Sequence, residues 1–142
     1  MDEIERIYQK LSHLKKCVDF LSSKARVSRE ELEEDYELRS AIERNFQIAI
    51  ESALDVGEII ISFKGFEKPE DYRSVILILG KNGVLPNDFA KEFSFSAGFR
   101  NILVHMYEDV DIDMLHDFLK NKLGDFDEFA RYIIEYVEKE MK

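Results

Sequence analysis

From Ser28 to about Ser62 the chain runs without a proline or another clear stop, and its apolar residues recur at helical spacing. Leu38, Ala41, Ile42, Phe46, Ala49, Ile50, Ala53, Val56 and Ile60 form a stripe suited to a bundle seam. Ser28-Arg29-Glu30-Glu31 has the form of a capping box, with Glu31 reaching back to Ser28. Only Gly57 interrupts the run, at a cost of about 1 kcal/mol against alanine. A helix of about 34 residues, rising ~1.5 Å per residue, spans ~50 Å and outreaches a small domain. Such a helix needs a partner along its length, from within the fold or from a second subunit.

The other segments agree with this helical reading. Ile4, Ile7, Tyr8, Leu11, Leu14, Val18 and Leu21 give a first amphipathic helix that ends around Ser22-Ser23-Lys24. Phe63 to Pro69 reads as a loop, and a helix follows over about Glu70 to Lys81, stopped by Asn82-Gly83. Pro86 suits the first turn of the next helix, which carries Phe89, Phe93, Phe95, Ala97, Phe99, Leu103 and Met106. Asp111 or Asp113 caps a shorter helix ending near Leu123-Gly124, and Asp125 with Glu128 opens a last one. With two prolines, six glycines and no strand-period run, the expectation is one all-α domain over 1–142, an up-and-down bundle of about five or six helices.

Composition narrows the function. Hydrophobic residues make up 45% and charged residues 35%, as in a folded globular chain. The net charge of −10 excludes a broad basic surface for non-specific nucleic-acid binding, which depends on neutralising phosphates. It leaves room for a small local basic site and suits a basic partner. Cys17 is the only cysteine, so the chain has no internal disulfide and no cysteine-based zinc cluster. Its place beside Leu14, Val18 and Leu21 makes it a small buried hydrophobe. The first residues lack the basic-then-apolar pattern of a secretion signal, and no apolar run approaches the ~20 residues that span a bilayer. A cytoplasmic location is the expectation.

Few groups remain for chemistry. His13 and His116 sit among charged residues and read as surface or capping positions. No histidine pair has the spacing of a helix-borne metal site. Asp109, Asp111 and Asp113 lack the glycine and the distant glutamate of a calcium loop. No glycine-rich phosphate loop or nucleophile motif is present, and neither a metal nor a cofactor is expected. That leaves Arg100 and His105. By residue type alone they are one surface arginine and one core-edge histidine near a helix end.

Arg100-Asn101-Ile102-Leu103-Val104-His105-Met106-Tyr107 resembles the Arg-polar-x3-His motif of HEPN ribonucleases, and Tyr107 makes it similar to the narrower HepT-like group. The run from Arg39 to Glu51, with Asp55, resembles the second-helix signature of those proteins. Phe95-Ser96-Ala97-Gly98-Phe99 resembles the lead-in to their motif. The resemblance runs over roughly residues 1–140 and implies a HEPN-type bundle that dimerises through the motif helix. It also implies a toxin of a type VII-like toxin–antitoxin pair, a metal-independent ribonuclease acting on mRNA or tRNA. The partner would be a minimal nucleotidyltransferase of the MntA kind, an antitoxin that transfers AMP to Tyr107. The alternative is a non-catalytic HEPN subunit that complexes a nucleotidyltransferase or binds nucleotide in the same cleft.

The residues suit RNA cleavage. The ribose 2′-hydroxyl is its own nucleophile, so the protein must move protons and stabilise charge on phosphorus oxygens. His105 is assigned as general base or acid, Arg100 as phosphate clamp, and Asn101 as a support for either. Five positions on a straight helix turn through about 500°, which leaves Arg100 and His105 about 140° apart. Either the helix ends or distorts before His105, or the two groups meet across a two-fold dimer.

Overall fold

The computed structural model describes residues 2–105 and 111–142, with the backbone alone at Val104 and His105. Among the described residues there are seven helices and no strand: α1 (Glu3–Ser23), α2 (Arg29–Glu34), α3 (Tyr36–Lys64), α4 (Tyr72–Lys81), α5 (Asn87–His105), α6 (Ile112–Asn121) and α7 (Leu123–Glu140). None of them is long and apolar enough to cross a membrane.

The expected long second helix is two helices. Ser28 and Glu31 form the capping box as read, but α2 stops at Asp35, whose backbone is extended at φ −101°, ψ 94°. The Asp35 carboxylate accepts a hydrogen bond from the Leu38 amide and so starts α3. One residue thus ends one helix and caps the next, which accounts for a helix beyond the five or six expected. An aspartate in a helical stretch is as easily a solvated face as a cap. α3 then runs 29 residues, through the expected loop start at Phe63, to Gly65 in the left-handed conformation at φ 69°. The last boundary also moved: α7 starts at Leu123, ahead of Asp125, with no side-chain cap.

α3 finds its partners within the fold, against α1, α4, α5 and α7. Ile42, Phe46, Ala49, Ile50, Ala53, Leu54, Val56 and Ile60 are all buried, which is more than one stripe, as expected of a helix covered on several sides. Gly57 lies where α4 packs on α3. A Cβ there would stand 2.6 Å from Val75 Cγ1 and 3.3 Å from Leu79 Cδ1. The residue that costs α3 helical propensity is the one that lets α4 approach.

Aromatic side chains fill the rest of the core. Phe99 stacks on Phe118 at 4.4 Å and meets Phe46 edge-on at 6.3 Å, joining α5, α6 and α3. Phe93 stacks on Phe129 at 4.9 Å and meets Phe126 edge-on, which fixes α7 on α5. Cys17 is buried as expected, and burial pushes its thiol above the ordinary value.

Candidate functional site

The site is built on three helices. On α3, Glu51, Asp55 and Glu58 recur at intervals of four and three residues and so share a face. α4 starts at a fixed point, because the Asp71 carboxylate accepts from the Ser74 amide at 2.8 Å while Ser74 Oγ accepts from the Asp71 amide at 2.9 Å. This capping box makes Tyr72 the first residue of α4. On α5, buried Phe99 anchors the helix, and Arg100 follows it towards α3 and α4.

Arg100 is held on three sides. Its Nε donates to Glu51 Oε1 at 3.1 Å. The same oxygen accepts from Gln47 Nε2 at 3.2 Å, one turn earlier on α3. The guanidinium carbon lies 4.6 Å from the centroid of the Tyr72 ring, a cation–π contact. Nη1 donates to Asn101 Oδ1 at 3.3 Å. The Arg100 side chain is 18% exposed, the least exposed cation in any ion pair among the described residues. A hollow of about 290 Å³ lies beside it, lined by Glu51, Leu54, Asp55, Glu58, Tyr72 and Arg100. Burial, and then the neighbouring Asp55, push the Glu58 carboxyl above its usual value. Lys10 of α1 pairs with Asp55 at 3.0 Å.

The α3 side of Arg100 is therefore a wall of carboxylates, which repels a phosphate. The outer side of α5 is different. Phe95 is 60% exposed there with the Arg73 guanidinium 4.6 Å above its ring, while Asn101, about 120° further round the helix, is exposed beside Glu58, Glu70, Asp71 and Tyr72. Leu77 of α4 is 39% exposed.

The structure gives Arg100 and Asn101 the places just described, side by side and hydrogen-bonded. α5 continues as a helix to His105, so the helix neither ends nor breaks before that residue, and this half of the sequence expectation is corrected. Five regular helical steps leave positions 100 and 105 about 140° apart, with position 105 on the face shared by 98, 101 and 102. The His105 side chain and Tyr107 lie outside the described residues, and so does any contact they make. His13 is exposed and His116 is half-buried, in keeping with the minor roles given to them. The sequence did not single out Tyr72, and it gave Glu51 only as part of a resemblance. No periodicity links these residues to Arg100, since the three lie on three different helices.

Comparison with known proteins gives the family and the fold. The family model described as "Ribonuclease HepT-like" matches residues 4–133. The tRNA nuclease HepT of Aphanizomenon flos-aquae is 28% identical over 134 residues, covering 94% of this chain and 86% of that protein. The mRNA nuclease HepT of Shewanella oneidensis is 22% identical over 127 residues, covering 89% and 95%. Among solved structures, the tri-AMPylated Shewanella oneidensis HEPN toxin in complex with MNT antitoxin superimposes with a TM-score of 0.83 at 21% identity, over 95% of this chain and 99% of that one. A toxin–antitoxin complex with AMP-PNP gives 0.84 at 21% identity, over 92% and 98%. The helical fold is that of these HEPN toxins, and the chain belongs to the ribonuclease HepT-like family.

Proposed function

We propose that this chain is the toxin of a type VII-like toxin–antitoxin pair, a metal-independent ribonuclease whose active site is composite. Arg100 binds the scissile phosphate, Asn101 supports it, and His105 of the other protomer in a homodimer moves the proton. The observation that carries this reading is the Arg100 guanidinium, anchored on α3 and α4 beside Asn101 on a helix that stays regular through His105. A regular helix separates the two groups within one protomer. A two-fold axis along the outer face of α5 brings the histidine of one copy to the arginine of the other. Exposed Phe95 and Leu77 on that side supply apolar area for such a contact.

The chemistry follows from the groups. A neutral His105 takes the 2′-hydroxyl proton as the oxygen attacks phosphorus, and a protonated one returns a proton to the leaving 5′-oxygen. Arg100 holds the extra negative charge on the non-bridging oxygens. Neutralisation comes from a nucleotidyltransferase of the MntA kind, which transfers AMP from ATP to the Tyr107 hydroxyl and releases pyrophosphate. The relatives support this partner, since a HEPN toxin of the same fold is tri-AMPylated and bound to an MNT antitoxin. A phosphate at Tyr107 competes with RNA for the Arg100 cation.

The test is RNA cleavage in chelator with Arg100→Ala and His105→Ala. Each variant alone is expected to be inactive. An equimolar mixture of the two recovers about a quarter of wild-type activity, because about half of its dimers are heterodimers and one of the two composite sites in each is intact. Undiminished activity in both single variants overturns the assignment, and no recovery on mixing overturns the composite site. Intact mass after co-expression with the nucleotidyltransferase should rise by one or more AMP units, and Tyr107→Phe should abolish the gain. A second reading, a non-catalytic subunit, draws on the pairing of Arg100 with Glu51, which compensates the cation within the chain. Growth inhibition that survives His105→Ala favours that reading.

A further inference from the structure

Arginine carries five N–H donors in a planar fork, and the edge it presents decides how it grips a phosphate. It can offer the Nε/Nη edge from the side or the Nη1/Nη2 edge end-on. In this chain the choice is already made. Nε–H is committed to Glu51, one Nη1–H to Asn101, and one flat face of the guanidinium to the Tyr72 ring. We infer that Glu51 and Tyr72 are positioning residues, which lock Arg100 so that its Nη1/Nη2 edge meets the substrate phosphate end-on. This inference rests on the ribonuclease reading of Arg100.

Three features separate this arrangement from an ordinary surface ion pair. The pair joins α3 to α5 across 49 positions, whereas five of the nine ion pairs among the described residues are i,i+4 contacts on one helix. The carboxylate is itself held, because Gln47 Nε2 shares Glu51 Oε1. The ring comes from a third helix whose start is fixed by a capping box. Long arginine side chains lose rotamer freedom when ordered, and here that loss precedes substrate binding. The α3 carboxylates also turn phosphate away from the Nε side.

The experiment measures RNA cleavage together with the Arg100 Nε–Hε resonance. Glu51→Ala and Tyr72→Leu should each lower kcat roughly 10- to 100-fold with little change in KM, because a misaimed clamp fails mainly in the transition state. Glu51→Gln, which keeps an acceptor oxygen without the charge, should lose less than Glu51→Ala. Tyr72→Phe should restore what Tyr72→Leu loses, since the ring and not the hydroxyl makes the contact. In an Arg100→Lys background, neither Glu51→Ala nor Tyr72→Leu should add a further loss, whereas purely structural damage would add. The Nε–Hε signal should be sharp and slow to exchange in the wild type and collapse in Glu51→Ala. Wild-type kcat in both Glu51→Ala and Tyr72→Leu overturns the inference, and so does a wild-type Nε–Hε signal that Glu51→Ala leaves unchanged. If Arg100→Ala cleaves as well as the wild type, the ribonuclease reading falls instead. The resonance then still decides whether the clamp exists.

Discussion

Replacing Gly57 by alanine sets two effects of opposite sign against each other. In a free helix the change gains about 1 kcal/mol. In this fold the new Cβ stands 2.6 Å from Val75 Cγ1 and 3.3 Å from Leu79 Cδ1. Carbon atoms prefer roughly 3.5–4.0 Å, so the shortfall at Val75 is about 1 Å. Val75 is buried and β-branched, and a helix leaves such a side chain one main rotamer, so rotation relieves little. α4 must move, and overpacking of this kind costs typically 1–3 kcal/mol. The net expectation is a loss of up to about 2 kcal/mol, which lowers the melting temperature by several degrees in a domain of this size. Because Tyr72 lies one turn before Val75 on α4, the same shift pulls its ring away from Arg100. On the proposed function, cleavage should therefore fall. Thermal melts of Gly57→Ala, Val75→Ala and the double variant check the arithmetic. The double variant should be more stable than the sum of the single changes by about 1 kcal/mol, since the added methyl fills space that the lost methyls leave. A rise of several degrees in Gly57→Ala alone refutes the argument, for then propensity wins and the close approach of α4 is not rigid.

Two further outcomes are expected. Phe99→Ala removes a fully packed ring between Phe46 and Phe118, next to Arg100, and should cost roughly 3–5 kcal/mol in denaturant unfolding; a loss under about 1 kcal/mol would mean that the core recloses. Burial, followed by Glu128 and Glu92 against an opposing Lys122, holds the Asp125 carboxyl above its unfolded value. The folded state then binds the proton more readily, so Asp125 destabilises when charged, and stability increases as pH falls from neutral through its raised value. Measured against Asp125→Asn, the wild type should gain stability on mild acidification; a gap that stays constant from pH 7 to pH 4 would contradict this.

Much of the architecture was legible in the chain itself. The 3.6-residue period fixed the helical class, and Asn82-Gly83 and Ser28-Glu31 gave boundaries, because caps and left-handed stops depend on residues a few positions apart. The break at Asp35 was missed for the complementary reason. Whether an aspartate caps a helix or faces solvent depends on where the flanking helices must pack. Gly57 was read as a local cost, although its reason is Val75 on another helix.

The candidate site divides along the same line. The sequence by itself determined which residues are the candidates for chemistry, since Arg100, Asn101, His105 and Tyr107 form one short string whose spacing is a property of the chain. The helical angle between positions 100 and 105 was also computable from that string. Only the tertiary structure decided what holds Arg100, because Glu51 and Tyr72 come from α3 and α4. It alone showed α5 continuing to His105, which removes a helix end before that residue from the alternatives the string left open. Local rules name the groups, while the direction in which an arginine fork points depends on side chains 49 and 28 positions away, brought together by packing.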